Sequence, residues 1–253
     1  MEKFQFGGIE RLCGRLGFEK LKKSHVLVVG VGGVGSWTAE ALVRSGVGEI
    51  TIVDPDSVCI TNINRQICAL EDTVGISKVK VLKDRFKKIN SSCRVNMIED
   101  FFNEDTAKNI FSTNFTYAFD GIDRLKNKIL FIQTCKHKKI PFIISGGAGG
   151  KIDPSMVKIA DLGETYKDKL LFRVRKKLRQ EYGYSKGKNK MKITCVFSPE
   201  QTRYPSPSGG ISLVADGNTP RKLDCHSSIG SCTHTTAIFG MMASGFIINK
   251  IIG

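Results

Sequence analysis

Short runs of aliphatic residues alternate along the chain with segments whose apolar positions recur at helical spacing. Residues 26–30, VLVVG, form the first such run, apolar up to the glycine, as in a strand buried on both faces. An amphipathic helix is expected before it, over 10–23. A second is expected after it, turning Ala39, Leu42 and Val43 inward and ending near Gly46 and Gly48. Strand 49–54 closes a β-α-β unit. The alternation continues through helix 78–89, strand 94–98, helix 105–111, strand 117–120, helix 125–138 and strand 142–145.

This rhythm predicts an α/β fold, a Rossmann-like and mostly parallel sheet with helices on both faces. Beyond residue 150 it changes. Strand-like runs at 151–160 and 193–197 flank a basic helix, and a Pro/Gly/Ser-rich stretch at 204–210 leads into a loop reaching about Asp224. The reading is one domain, 1–253, with an elaborated C-terminal half and no internal repeat. Residues 235–252 are apolar enough to raise the question of a membrane span. They contain Gly, Ser and Asn, end on Lys250, and barely reach the roughly 20 residues a bilayer needs. A buried or surface-docked helix is the favoured reading, with membrane association the alternative.

The formal net charge of +15 predicts attraction to a polyanion. Between Lys167 and Lys192 stand eleven Lys and Arg residues against Asp168 and Glu181, so the charge is concentrated. Such a run is either a solvated helix with its following loop or a contact for nucleic-acid phosphates. The eight cysteines form no CxxC pair, which argues against a zinc staple and for reduced thiols. The first residues contain no signal-peptide pattern, and a cytoplasmic location is expected.

Gly30-x-Gly32-x-x-Gly35 at the end of the first strand lets backbone approach phosphates at a helix N-terminus. Asp54, at the end of the second strand, is placed to accept from ribose hydroxyls. These features fit NAD and ATP equally. The residues downstream are more specific: Asp54-Pro-Asp56, then Asn62-x-x-Arg65-Gln66, Lys78 after Gly75, and Asp123 in FDGIDR. Attack on the α-phosphorus of ATP needs cations on the outer phosphates, which Arg65 and Lys78 supply. It also needs a hard oxygen ligand for Mg2+, which Asp123 supplies. Singly, each has a plainer reading: a surface lysine, a surface ion pair, a helix cap.

GVGGVG, DPD, TNINRQ, GISK and DGIDR together resemble the ubiquitin-activating-enzyme-like, ThiF-type adenylating family. RLCGRLGFEKLKKSHVLVVGVGGVGSW, VCITNINRQICAL, ISGGAGGKIDPSMVKIADL and CVFSPEQTRYP are similar to its tRNA threonylcarbamoyladenosine dehydratase branch, and the likeness covers nearly the whole chain. The resemblance implies a nucleotide-binding half at about 24–150 and a tRNA-facing half at about 151–253. It implies that Gly32, Gly33 and Gly35 hold phosphates, that Asp54 holds ribose, and that Asn62, Arg65, Gln66 and Lys78 surround the triphosphate. Asp123 would support Mg2+ or the attacking carboxylate. The implied enzyme is a homodimer using ATP, Mg2+ and a monovalent cation on tRNA carrying threonylcarbamoyladenosine, with a sulfur-relay protein as a further partner.

In several places the chain departs from the pattern. Where relatives bring an arginine across the dimer, Gln5 and Gly8 stand here, with Arg11 nearby. The paired CxxC of the sulfur-carrier branches is absent. Relatives that transfer ubiquitin-like proteins use a cysteine, and Cys232 in GSCTHTT is the available thiol, otherwise a small residue at a helix start. Activation of a carrier protein's C-terminus is thus the alternative function. His226 and His234 are read as packing or capping residues. The loop 146–150 is read as a flexible substrate or ion contact or a tight turn, and Glu200 and Arg203 as tRNA contacts.

Overall fold

The computed structural model describes residues 5–187, 190–206, 208–215 and 229–253. Helix α1 (Gly7–Lys23), bent at Gly14, leads into β1 (His25–Val29), whose five residues are all buried. There follow α2 (Gly35–Arg44), β2 (Glu49–Val53), α3 (Lys78–Ile89), β3 (Arg94–Ile98), α4 (Glu104–Ile110), β4 (Tyr117–Asp120), α5 (Leu125–Lys138) and β5 (Phe142–Ser145). The C-terminal half adds β6 (Lys158–Asp161), α6 (Lys169–Glu181), β7 (Thr194–Phe197), a small β8–β9 ribbon (Tyr204–Pro205 and Ile211–Ser212) and α7 (Thr233–Ile252).

The main sheet has the order β3-β2-β1-β4-β5-β7-β6. All pairings are parallel except that β6 runs antiparallel to β7 at the edge. Alternation along β1 sends Val26 and Val28 to one face and Leu27 and Val29 to the other. The first face is covered by α2, α3 and α7 through Leu42, Phe86 and Phe239, the second by α4, α5 and α6 through Ile110, Phe131 and Leu178. The predicted α/β sheet covered on both faces is therefore the observed one.

One element differs from the sequence expectation. The strand expected over 151–160 begins only at Lys158, because Pro154 opens a 3-10 turn, Pro154–Met156, that Asp153 caps by accepting from the Ser155 N–H. The apolar C-terminal segment is a helix with one face in the core, the reading the sequence favours. Phe239, Ala243 and Ile247 on α7 are fully buried, and a side chain at Gly240 would meet Trp37 Cβ at 2.7 Å. That packing buries one face of a helix that is long and apolar enough to cross a membrane.

Strand order reverses between β1 and β4, and the backbone there is pressed together. A Cβ on Gly35 would lie 1.8 Å from the Gly30 carbonyl oxygen, and one on Gly121 would lie 2.7 Å from the same oxygen. Gly30 itself has φ +84°, and its N–H donates to Val53 O at 2.8 Å. Gly35→Ala must push α2 off β1. We expect it to cost about 3 kcal/mol or more, read as a lower urea midpoint; an unchanged midpoint would contradict this packing.

Candidate active site

Carboxyl ends of parallel strands are where open α/β sheets bind ligands, and the predicted residues gather there. Asp54, buried just beyond β2, accepts from Val31 N–H at 2.8 Å and from Asp56 N–H at 3.0 Å. Its carboxylate therefore holds the glycine loop from behind. Lys78, the first residue of α3 and also buried, reaches back to Asp56 at 2.8 Å and to Asp54 at 3.8 Å. Burial pushes the Asp54 carboxyl above the usual carboxylate range, and the Lys78 charge opposes that shift.

The stretch after β2 makes a 3-10 turn, Ile60–Asn62. Asn62 is buried and spends its side-chain oxygen on the Cys59 N–H at 3.1 Å, so it shapes the turn that presents its neighbours. Its backbone carbonyl accepts from the N–H groups of Arg65 and Gln66. The Arg65 carbonyl is in turn fixed by Trp37 Nε1 at 3.0 Å and Thr236 Oγ1 at 3.2 Å. Arg65 Cδ lies 3.6 Å from where a Gly33 side chain would begin, and Gln66 Nε2 lies 3.9 Å from that point on Gly32. The guanidinium is held by Thr61 O at 2.6 Å and Asn64 Oδ1 at 3.0 Å. Glycine loop, cation and amide thus form one wall, and Asp54, Asp56 and Lys78 the next.

Asp123 lies exposed in the β4–α5 loop. Mg2+ takes one or two carboxylates together with phosphate oxygens and water, and an exposed carboxylate at the sheet's carboxyl edge fits that demand. Among the described residues no group of three His, Cys, Asp or Glu side chains is arranged to hold a metal alone. Sequence reasoning missed the pair beneath it. Asp120 and Lys128 are both completely buried and 2.7 Å apart, and Asp120 also accepts from Ile122 N–H at 2.7 Å. A second Asp in FDGIDR, eight residues before a lysine on the inner face of α5, was the available signal.

Residues 146–150 are tightly held. Asp168 accepts from Gly147 N–H and, capping α6, from Leu171 N–H, both at 2.9 Å. Glu200 is buried, with Oε2 accepting from Ile152 and Asp153 N–H groups at 2.9 and 3.0 Å. The expectation that Glu200 meets tRNA is thus corrected: it ties this strap to the segment after β7. Arg203 stays half-exposed, 3.6 Å from Glu200. Cys232, at the start of α7, lies 3.2 Å from His234 Nε2, which also lies 3.0 Å from Ile152 O. His226 falls outside the described residues.

Lys78 offsets two carboxylates, one of them buried. Because Asp54 titrates above its unfolded value, its contribution to stability is complete at low pH and is lost as pH rises through the folded pKa. Lys78→Met moves that folded pKa higher still. The variant should lose about 2 kcal/mol more stability at pH 7 than at pH 3. Denaturant titrations at both pH values check this, and an equal loss at both would contradict it.

Comparison with known proteins places this geometry. The ThiF family matches residues 8–253. The chain is 41% identical over 250 residues to the tRNA threonylcarbamoyladenosine dehydratase of Escherichia coli (strain K12), covering 98% of this chain and 93% of that one. It is 44% identical over 196 residues to the Bacillus subtilis (strain 168) dehydratase, covering 78% and 75%. The molybdopterin-synthase adenylyltransferase of Haemophilus influenzae matches at 32% identity and over only 52% of this chain. The solved structure of E. coli tRNA N6-threonylcarbamoyladenosine dehydratase, TcdA, in complex with ATP superposes with a TM-score of 0.85 at 38% identity, covering 98% of this chain and 94% of that one. The glycine loop, the Asn62–Gln66 turn and the Asp54–Lys78 pair thus sit in a chain that belongs to the ThiF family.

Proposed function

We propose that this protein is an ATP-dependent dehydratase of threonylcarbamoyladenosine in tRNA. The observation that carries the reading is extent: the likeness to the E. coli dehydratase runs through both halves of the chain, whereas that to the molybdopterin adenylyltransferase covers about half. The substrate carboxylate attacks the α-phosphorus of ATP, pyrophosphate leaves, and an acyl-adenylate remains. The neighbouring carbamoyl group then attacks the acyl carbon, closing a ring and expelling AMP with one former carboxylate oxygen. The nucleoside loses one water in all. Ring closure needs no thiol, because the nucleophile is already tethered beside its target.

In this scheme Arg65 and Lys78 stabilise charge that builds on the phosphates during attack, and Gly32, Gly33 and Gly35 offer backbone to them. Asp54 orders the loop through Val31 and faces ribose, while Asn62 and Gln66 shape and line the wall. Asp123 would hold Mg2+, whose chemistry there is to neutralise phosphate oxygens.

The basic run divides into two kinds of residue. Arg175 is spent on Leu162 O and on Thr165, and Arg179 on Ser185 and Gly187 carbonyls. Lys169 is engaged as well, donating to the Tyr204 hydroxyl. Arg173 and Lys176 are exposed on α6, and these two are our tRNA contacts. On α1, Leu12 and Leu16 are 86% and 82% exposed, which supports a homodimer that covers them. A cytoplasmic location fits a tRNA substrate and cysteines that are free thiols among the described residues.

Single-turnover incubation with ATP and tRNA bearing threonylcarbamoyladenosine should yield a nucleoside lighter by one water. Arg65→Ala should slow this by about 100-fold or more. An unchanged nucleoside under conditions where ATP binds would contradict the proposal. Cys232→Ala should leave the rate within about twofold, since no step uses the thiol. Loss of activity in that variant, with a thioester trapped on the wild type, would instead favour carrier-protein activation.

A further inference from the structure

A cavity of about 520 Å3 opens at the opposite end of the sheet, by the amino ends of β4, β5 and β7. Four lysines stand around it, Lys136, Lys139, Lys192 and Lys250, and none of its lining residues is acidic. Phe142 and Phe246 line it as well, each with a lysine ammonium over its ring: Lys136 at 5.9 Å and Lys250 at 5.6 Å. Apolar walls beneath charge of one sign focus the field outward rather than screening it.

Its lysines come with a backbone cost. Among the described residues three non-glycines have positive φ, and two of them, Lys139 at +57° and Lys192 at +55°, line this cavity. Residues bearing a Cβ rarely adopt that conformation, and a glycine would do so freely. Lys136 donates to Lys192 O at 2.7 Å, and burial together with the Lys192 charge pushes its amine down, against an opposing pull from Asp161. Crowded like charges of this kind are relieved by an anion.

Helix α6 joins the cavity to the active site. Its N-cap, Asp168, holds the loop after β5 at the carboxyl edge, and the chain beyond its C-terminus returns to Lys192 at the amino edge. Its 13 residues span about 20 Å. Exposed Arg173 and Lys176 lie along the way, so basic side chains stand between the two ends. A tRNA arm is a rod of phosphates long enough to follow such a track.

We propose that the lysine-rimmed cavity is a second tRNA contact, which takes phosphodiester groups remote from the modified nucleoside while α6 guides the arm between. The proposal rests on the dehydratase reading. Lys139, Lys192 and Lys250 are exposed, and their replacement leaves the adenylating end untouched.

The test compares wild type with K139Q/K192Q/K250Q, using full-length tRNA carrying threonylcarbamoyladenosine and a salt series. The triple variant should bind about tenfold more weakly, with the slope of log affinity against log salt shallower by roughly 2 to 3. Its kcat at saturating tRNA should equal that of wild type, with the loss appearing in KM. Wild type that does not dehydrate the tRNA overturns the functional reading and the proposal with it. Wild type that dehydrates, with affinity and salt slope unchanged in the triple variant, overturns the second contact alone. So does binding to phosphatidylglycerol vesicles that the triple variant loses while its tRNA affinity holds.

Discussion

Much of this molecule depends on one hydrogen bond, the Val31 N–H donated to the buried carboxylate of Asp54. It fastens the turn leaving β1 to the end of β2. Because Gly30, Gly35 and Gly121 leave no room for side chains, that turn can lie flat between α2 and β4. The carboxylate that makes the bond is costly to bury, and Lys78 offsets the cost from the first turn of α3. Thus one residue orders the loop, and one charge stabilises that residue.

The second wall arises from local chemistry. Asn62 turns its side chain back onto its own 3-10 turn, and that turn aims Arg65 and Gln66 at Gly33 and Gly32. Trp37 and Thr236 clamp the Arg65 carbonyl from α2 and α7, so the final helix of the chain helps to set a wall built near its beginning. The apolar character of α7 serves that packing.

Most of the fold was legible because a parallel sheet writes itself as alternating buried runs and amphipathic helices, as in 26–30, 49–54 and 78–89. The start of the edge strand was not, because half-exposed β6 lacks a buried run to mark it and Pro154 displaces it. Residues that would meet a ligand through common motifs were visible: the glycines, Asp54, Arg65, Gln66, Lys78. Those that act through partners distant in sequence were not. Asp120 with Lys128, and Asp168 with Gly147, are pairings that only the folded chain brings together. Glu200 was misread for the same reason, since its partners lie 47 and 48 residues away. The basic run likewise hid a division of labour, with Arg175 and Arg179 turned inward to carbonyls and their neighbours left to solvent.

The chemistry proposed for these walls is attack of a carboxylate on the α-phosphorus of ATP. The most direct measurement places a heavy oxygen isotope in the threonyl carboxylate of the substrate tRNA and traces it through one turnover. Transfer of one labelled oxygen into AMP is the predicted result. Label appearing in inorganic phosphate or water, with AMP unlabelled, would contradict adenylation.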